Sequence, residues 1–157
     1  MFNQFACASC GARHEAGRTC EDDFHQMLFW EAEDPALGAV HHLMVLCYHI
    51  QHPALYSPDG LKYSIGLLRQ FVETGALPED VRKRIAPQVD WGKRSFKVKG
   101  TPDSHGSFEK PVQWEMTASS VVLRGKAKYV ESVKDWARSV MASLRASDNV
   151  FEDSTGH

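Results

Sequence analysis

The chain of 157 residues has no apolar run near the ~20 residues a helix needs to cross a bilayer, so a helical membrane span is excluded. Charge of one sign is also missing. Eighteen Lys and Arg against 20 Asp and Glu give a formal charge of -2, and the chain as a whole has no strong pull toward nucleic acid or an anionic membrane. Its start, MFNQFACASC, has no basic region followed by an apolar stretch, so a secretory signal is not expected. The expected compartment is the reducing cytoplasm, where cysteines serve as thiols or metal ligands more often than as disulfides. No Gly-rich phosphate loop, G-x-S-x-G elbow, H-E-x-x-H helix, carboxylate pair at a telling spacing or internal repeat occurs. These absences leave no reaction or substrate legible from motifs.

What is present is locally dense. Cysteines number only four, yet Cys7, Cys10 and Cys20 all fall in the first twenty residues. The segment VHHLMVLCYHIQHP (40–53) holds four histidines and Cys47. Acid and base are segregated as well. Residues 15–34 carry seven acids against Arg18, and residues 82–99 carry seven bases against Asp90.

Length and a 43% hydrophobic content fit one globular domain over 1–157. Residues 1–20 show little apolar periodicity and read as a metal-binding loop. A helical region is expected over 21–86. Its first helix starts at Glu21, with Phe24, Met27, Leu28 and Glu31 on one face and three acids at its positive dipole end. After a break at 33–38, a second helix spans about 37–51, its apolar stripe Val40, Leu43, Met44, Cys47 and Ile50, stopped by Pro53. A third carries Leu61, Ile65, Leu68 and Val72 and ends before Gly75, and a short fourth covers 77–87. Residues 88–116 read as an irregular basic segment with a short strand at Phe96 and Val98. A C-terminal helix is expected over 127–146, on the spacing of Tyr129, Val133, Trp136, Ala137, Val140 and Leu144. The fold class is mainly α, a small helical bundle with an N-terminal zinc-knuckle loop.

The C-x-x-C-G at 7–11 is the chemistry-bearing motif. Two thiolates project from one tight turn, and the small residue lets backbone amides face the sulfurs. A redox C-x-x-C usually opens a helix in a βαβ pattern, and GARHEAGRTC is no such signal. Cys20 adds a third thiol. The fourth ligand follows from geometry. His41 and His52 are eleven residues apart, about 16 Å along a continuous helix, and cannot share one ion. A short link makes the first two helices antiparallel, which sets Cys20 beside Cys47, His49 and His52, and His41 opposite about residue 29. The expected zinc site is Cys7, Cys10, Cys20 and His52, closed and structural, with His49, Cys47, His41 or His25 as substitutes for the last. His42 is expected in solvent, His14 and His25 exposed, and Cys47 a small core hydrophobe.

The matches Cys7, Cys10, Gly11, Cys20, Phe24, Val40, His41, Leu43, Val45, Tyr48, Gln51, His52 and Pro53, with the C-terminal VKDWARSV, resemble an uncharacterised bacterial domain-of-unknown-function family. Its pattern opens with CxxCG, adds a further Cys and continues with VHxLxVxxYxxQHP. The resemblance supports the site and implies no activity. Three functional classes stay open. One is a structural zinc protein acting through a partner, with Lys93, Arg94, Lys97 and Lys99 offering weak nucleic-acid contact beside Trp91 and Phe96. Another is a metal-dependent enzyme or small-molecule binder using His41 and His52 in an interhelical cleft, or His41 with Tyr48. The last is a thiol redox sensor pairing Cys7 with Cys10.

Overall fold

The computed structural model describes residues 4–15, 17–74 and 99–149. Among these the architecture is mainly α. Two three-residue strands, β1 (Gln4–Ala6) and β2 (Arg13–Glu15), precede α1 (Cys20–Glu33), α2 (His41–Gln51), α3 (Pro58–Thr74), α4 (Ala118–Arg124) and α5 (Tyr129–Ala146). The expected short helix at 77–87, the strand at Phe96 and Val98, and Lys93, Arg94 and Lys97 lie outside the described residues. Lys99 is described and exposed. No helix among the described residues is long and apolar enough to cross a membrane.

The leader is a hairpin where a loop was expected. β1 and β2 pair antiparallel, with Phe5 opposite His14 and Ala6 opposite Arg13. The CASCG turn closes it: Cys7 N–H donates to the Ala12 carbonyl at 2.8 Å, and Gly11 N–H to the Cys7 carbonyl at 2.9 Å. Gly11 sits at φ 77°, a region in which a side chain is strained. Thr19 then starts α1 with a reciprocal cap. Its hydroxyl accepts from Asp22 N–H, and the Asp22 carboxylate accepts from Thr19 N–H at 2.8 Å.

Between α1 and α2, residues Pro35–Val40 form a 3-10 turn, so α2 begins at His41, four residues later than expected. The two helices run antiparallel. Glu31 at the end of α1 meets His41 at the start of α2, and Phe24 near the start of α1 stacks on Tyr48 near the end of α2. The stripe Val40, Leu43, Met44, Cys47 and Ile50 is wholly buried and faces α5, whose Tyr129, Val133, Trp136, Ala137, Val140, Met141 and Leu144 are buried to the same degree. α3 packs on both, and α4 packs on α1 and α5. Glu31 also accepts from the buried Tyr129 hydroxyl, which ties α1, α2 and α5 together. Burial and that bond to Glu31 push the Tyr129 phenol upward.

Helix α4 was not anticipated. It has seven residues, two of them β-branched valines of modest helix propensity, and a cap at Thr117 starts it.

The chain that follows α2 is clamped. Gly100 N–H donates to the Leu55 carbonyl at 3.0 Å and Gly106 N–H to the Tyr56 carbonyl at 2.8 Å, so the segment after Lys99 lies along residues 53–56. A Cβ on Gly100 would stand 2.4 Å from the Ala54 carbonyl oxygen and 2.5 Å from that of Tyr56. Backbone cannot step aside as a side chain can. Gly100→Ala is therefore expected to cost about 1–3 kcal/mol. Gly66→Ala, in α3 with nothing within 4 Å of the new methyl, is expected to stabilise by about 0.5–1 kcal/mol. Urea denaturation of both variants checks the pair. Equal effects would show that the strap is loose.

Candidate metal centre

Three pieces of local structure converge at one end of the α1–α2 pair. The hairpin turn presents Cys7 and Cys10. The first residue of α1 presents Cys20. His52, at the C-terminal cap of α2, presents its ring. One donor atom from each lies within 4.8 Å of all the others. The Sγ atoms of Cys10 and Cys20 are 3.5 Å apart, and Cys7 Sγ is 3.6 Å from His52 Nε2. A tetrahedral zinc with Zn–S near 2.3 Å and Zn–N near 2.05 Å has S···S edges of about 3.8 Å and S···N edges of about 3.6 Å. Both separations fit that frame, and no disulfide is present among the four cysteines.

The imidazole is oriented for such a role. His52 Nδ1–H donates to the Tyr48 carbonyl at 2.7 Å, which leaves the Nε2 lone pair on the sulfur side. Its ring lies tilted against Tyr48 at 4.4 Å, and Tyr48 stacks on Phe24 at 4.5 Å, so a row of aromatic rings backs the ligand. Burial pushes the Tyr48 phenol up to about 12.

The electrostatics are those of crowded thiols with a proton to share. The hydrogen bond from Cys20 lowers Cys10 to about 4, against the opposing effect of burial and with help from His52. The same bond, with burial, raises Cys20. Burial works against charge on His52, yet the hydrogen bonds to Cys10 and the Tyr48 carbonyl outweigh it and raise the ring to about 9. A divalent cation among these atoms would replace the shared protons as the counter-charge.

The remaining candidates lie elsewhere. Cys47 is wholly buried in the core, and burial pushes its thiol up. His49 is wedged against Tyr56 at 5.1 Å, and burial, with His52 nearby, lowers it to about 4. His25 is exposed beside Glu21. His41 Nδ1 is 2.6 Å from Glu31, at the far end of an unbroken α2, so His41 and His52 do not share a cleft. Tyr48 stacks on Phe24 and lies against His52. His42 is half-buried with its ring edge-on to His41 at 5.3 Å, not wholly in solvent. Cys10 and Cys20 are 3.5 Å apart, and the Cys7 sulfur lies within 4.8 Å of both.

One residue expected on the surface is inside. His14 is buried, its Nε2 3.3 Å from Cys20 Sγ and its Nδ1 3.7 Å from Asp23. Asp23 is buried too and accepts from Arg18 at 2.9 Å. Two sequence signals point this way. Asp23 follows Cys20 by three residues and shares its helix face, and His14 is the middle residue of R-H-E, inward when its neighbours are outward.

No curated protein and no solved structure matches the chain. A family match does exist and runs over residues 5–145, spanning the hairpin, the four converging residues and nearly all of α5. The chain belongs to a family of unknown function, DUF5946.

Proposed function

We propose that Cys7, Cys10, Cys20 and His52 bind one zinc ion, and that the ion is structural. The observation that carries this reading is the mutual approach of four soft and borderline donors to within 4.8 Å, with Cys10–Cys20 at 3.5 Å and Cys7–His52 at 3.6 Å near the edge lengths of a zinc tetrahedron. Four protein ligands leave no open position for water or substrate, so the ion staples the N-terminal hairpin to the α1–α2 pair and does not activate a reactant. The chain then works as a metal-braced helical scaffold whose activity lies in what its surface contacts.

Metal analysis of purified protein tests this directly. The wild type is expected to carry one zinc per chain. Cys7→Ser, Cys20→Ser and His52→Ala are expected to lose it, and His41→Ala to keep it. Full zinc in His52→Ala would reassign the fourth ligand. A wild-type chain without affinity for zinc or cobalt would end the reading.

A further inference from the structure

Cys20 is approached from outside the four-donor group. His14 Nε2 lies 3.3 Å from its sulfur, yet His14 is not among the donors that come within 4.8 Å of one another. It therefore sits behind Cys20, not on the ion. The ring is shielded from water, its side chain 5% exposed. Behind it, Asp23 holds a carboxylate that is 2% exposed. Its Oδ1 accepts from Arg18, while Oδ2 has no hydrogen-bond donor and lies 3.7 Å from His14 Nδ1. This oxygen lies against the ring with no hydrogen bond between them, so Asp23 acts on His14 by its position and its charge.

A metal-bound thiolate can only accept, so the nitrogen facing it must donate. We propose that His14 is a positioning residue of the metal centre: its Nε2–H donates to the Cys20 sulfur, with Asp23 and Arg18 fixing the ring from behind. This rests on the zinc reading above. Three thiolates on a divalent cation leave an excess negative charge, and a donor to one sulfur draws part of it away. Cys20 becomes a poorer nucleophile and a longer-lived ligand. Cys7 is half-buried whereas Cys10 and Cys20 are buried, so electrophiles reach it first.

The test uses the full chain loaded with cobalt or zinc, as wild type, His14→Ala, His14→Gln and Asp23→Asn. One ion per chain is expected in all four. In His14→Ala the sulfur-to-cobalt charge-transfer band should move to lower energy, because the sulfur lone pair loses its stabilising donor. Transfer of zinc to a chelator should quicken about 10–100-fold. Iodoacetamide, mapped by mass spectrometry, should shift from Cys7 toward Cys20. His14→Gln keeps an N–H and should restore part of each effect even where His14→Ala folds poorly. Asp23→Asn should fall between. An unmoved cobalt band in a His14→Ala protein that still holds its ion or, where that variant does not fold, in Asp23→Asn, would overturn the role of His14 alone. A wild type that binds no ion would overturn it together with the zinc reading.

Discussion

Removing the proposed zinc from the wild-type chain is expected to release the N-terminal hairpin, residues 4–15, while leaving the helical core folded. The strands of the hairpin are three residues each, and a two-stranded ribbon of that length has no stability of its own. Among its described side chains the buried groups are Cys10, Ala12 and His14, which offer little apolar area. Structural zinc contributes about 10–16 kcal/mol to the folding of small metal modules, far more than this hairpin can supply from packing. Amide exchange should therefore accelerate by more than about 100-fold across residues 4–15, a loss of local stability above ~2.7 kcal/mol. Amides of α5 should change little, since its buried face is packed against α2 and α3 and not against the ion. Acid acts in the same direction. Every ligand must shed its proton to bind, so affinity falls as the pH falls. Hydrogen exchange of chelator-treated and zinc-loaded protein is the measurement. A leader that stays protected without metal would mean that packing, and not coordination, holds it.

The other large effect is expected at Trp136. It is a wholly buried side chain in the middle of α5, among the largest in the core. Trp136→Ala should cost about 3–5 kcal/mol, a large share of the ~5–15 kcal/mol that holds an ordinary domain together. The indole Nε1 is buried with no hydrogen-bond partner. An unsatisfied buried donor costs about 1–3 kcal/mol, and phenylalanine does not carry it. Trp136→Phe should accordingly cost less than half as much as Trp136→Ala. Urea midpoints at unchanged slope measure both. If the two substitutions cost the same, the indole nitrogen has a water or a partner that offsets its burial.

The long helices were legible because their apolar residues recur every three or four positions over about three turns or more. Val40, Leu43, Met44, Cys47 and Ile50 fall on one face of α2, and the Tyr129 to Leu144 series falls on one face of α5. Hairpin and α4 were not, for the same reason. Three-residue strands and a seven-residue helix are too short for a period to repeat, and only Gly11 and Thr117 mark where they turn and start. The 3-10 turn at Pro35–Val40 also delayed α2, because Pro35 and the cap at Asp34 favour a tight first turn over a continued α-helix.

At the site, the meeting of Cys20 with His52 followed from chain order, and the C-x-x-C-G turn brought Cys7 and Cys10 into the expected set. A short link forces two helices antiparallel, and that puts the first residue of one beside the last of the other. Side chains that act from behind obey no such rule. Whether His14 faces water or Cys20 depends on strand register, set by which residue Phe5 opposes, and one step of slip would reverse it. The primary structure therefore pointed to the donors that meet, with His49, Cys47, His41 and His25 left open for the fourth, because helix length and connection length are local quantities. Only the tertiary fold decided what surrounds them, because register, burial and the Arg18–Asp23–His14 contacts arise from packing between segments that the linear order leaves free.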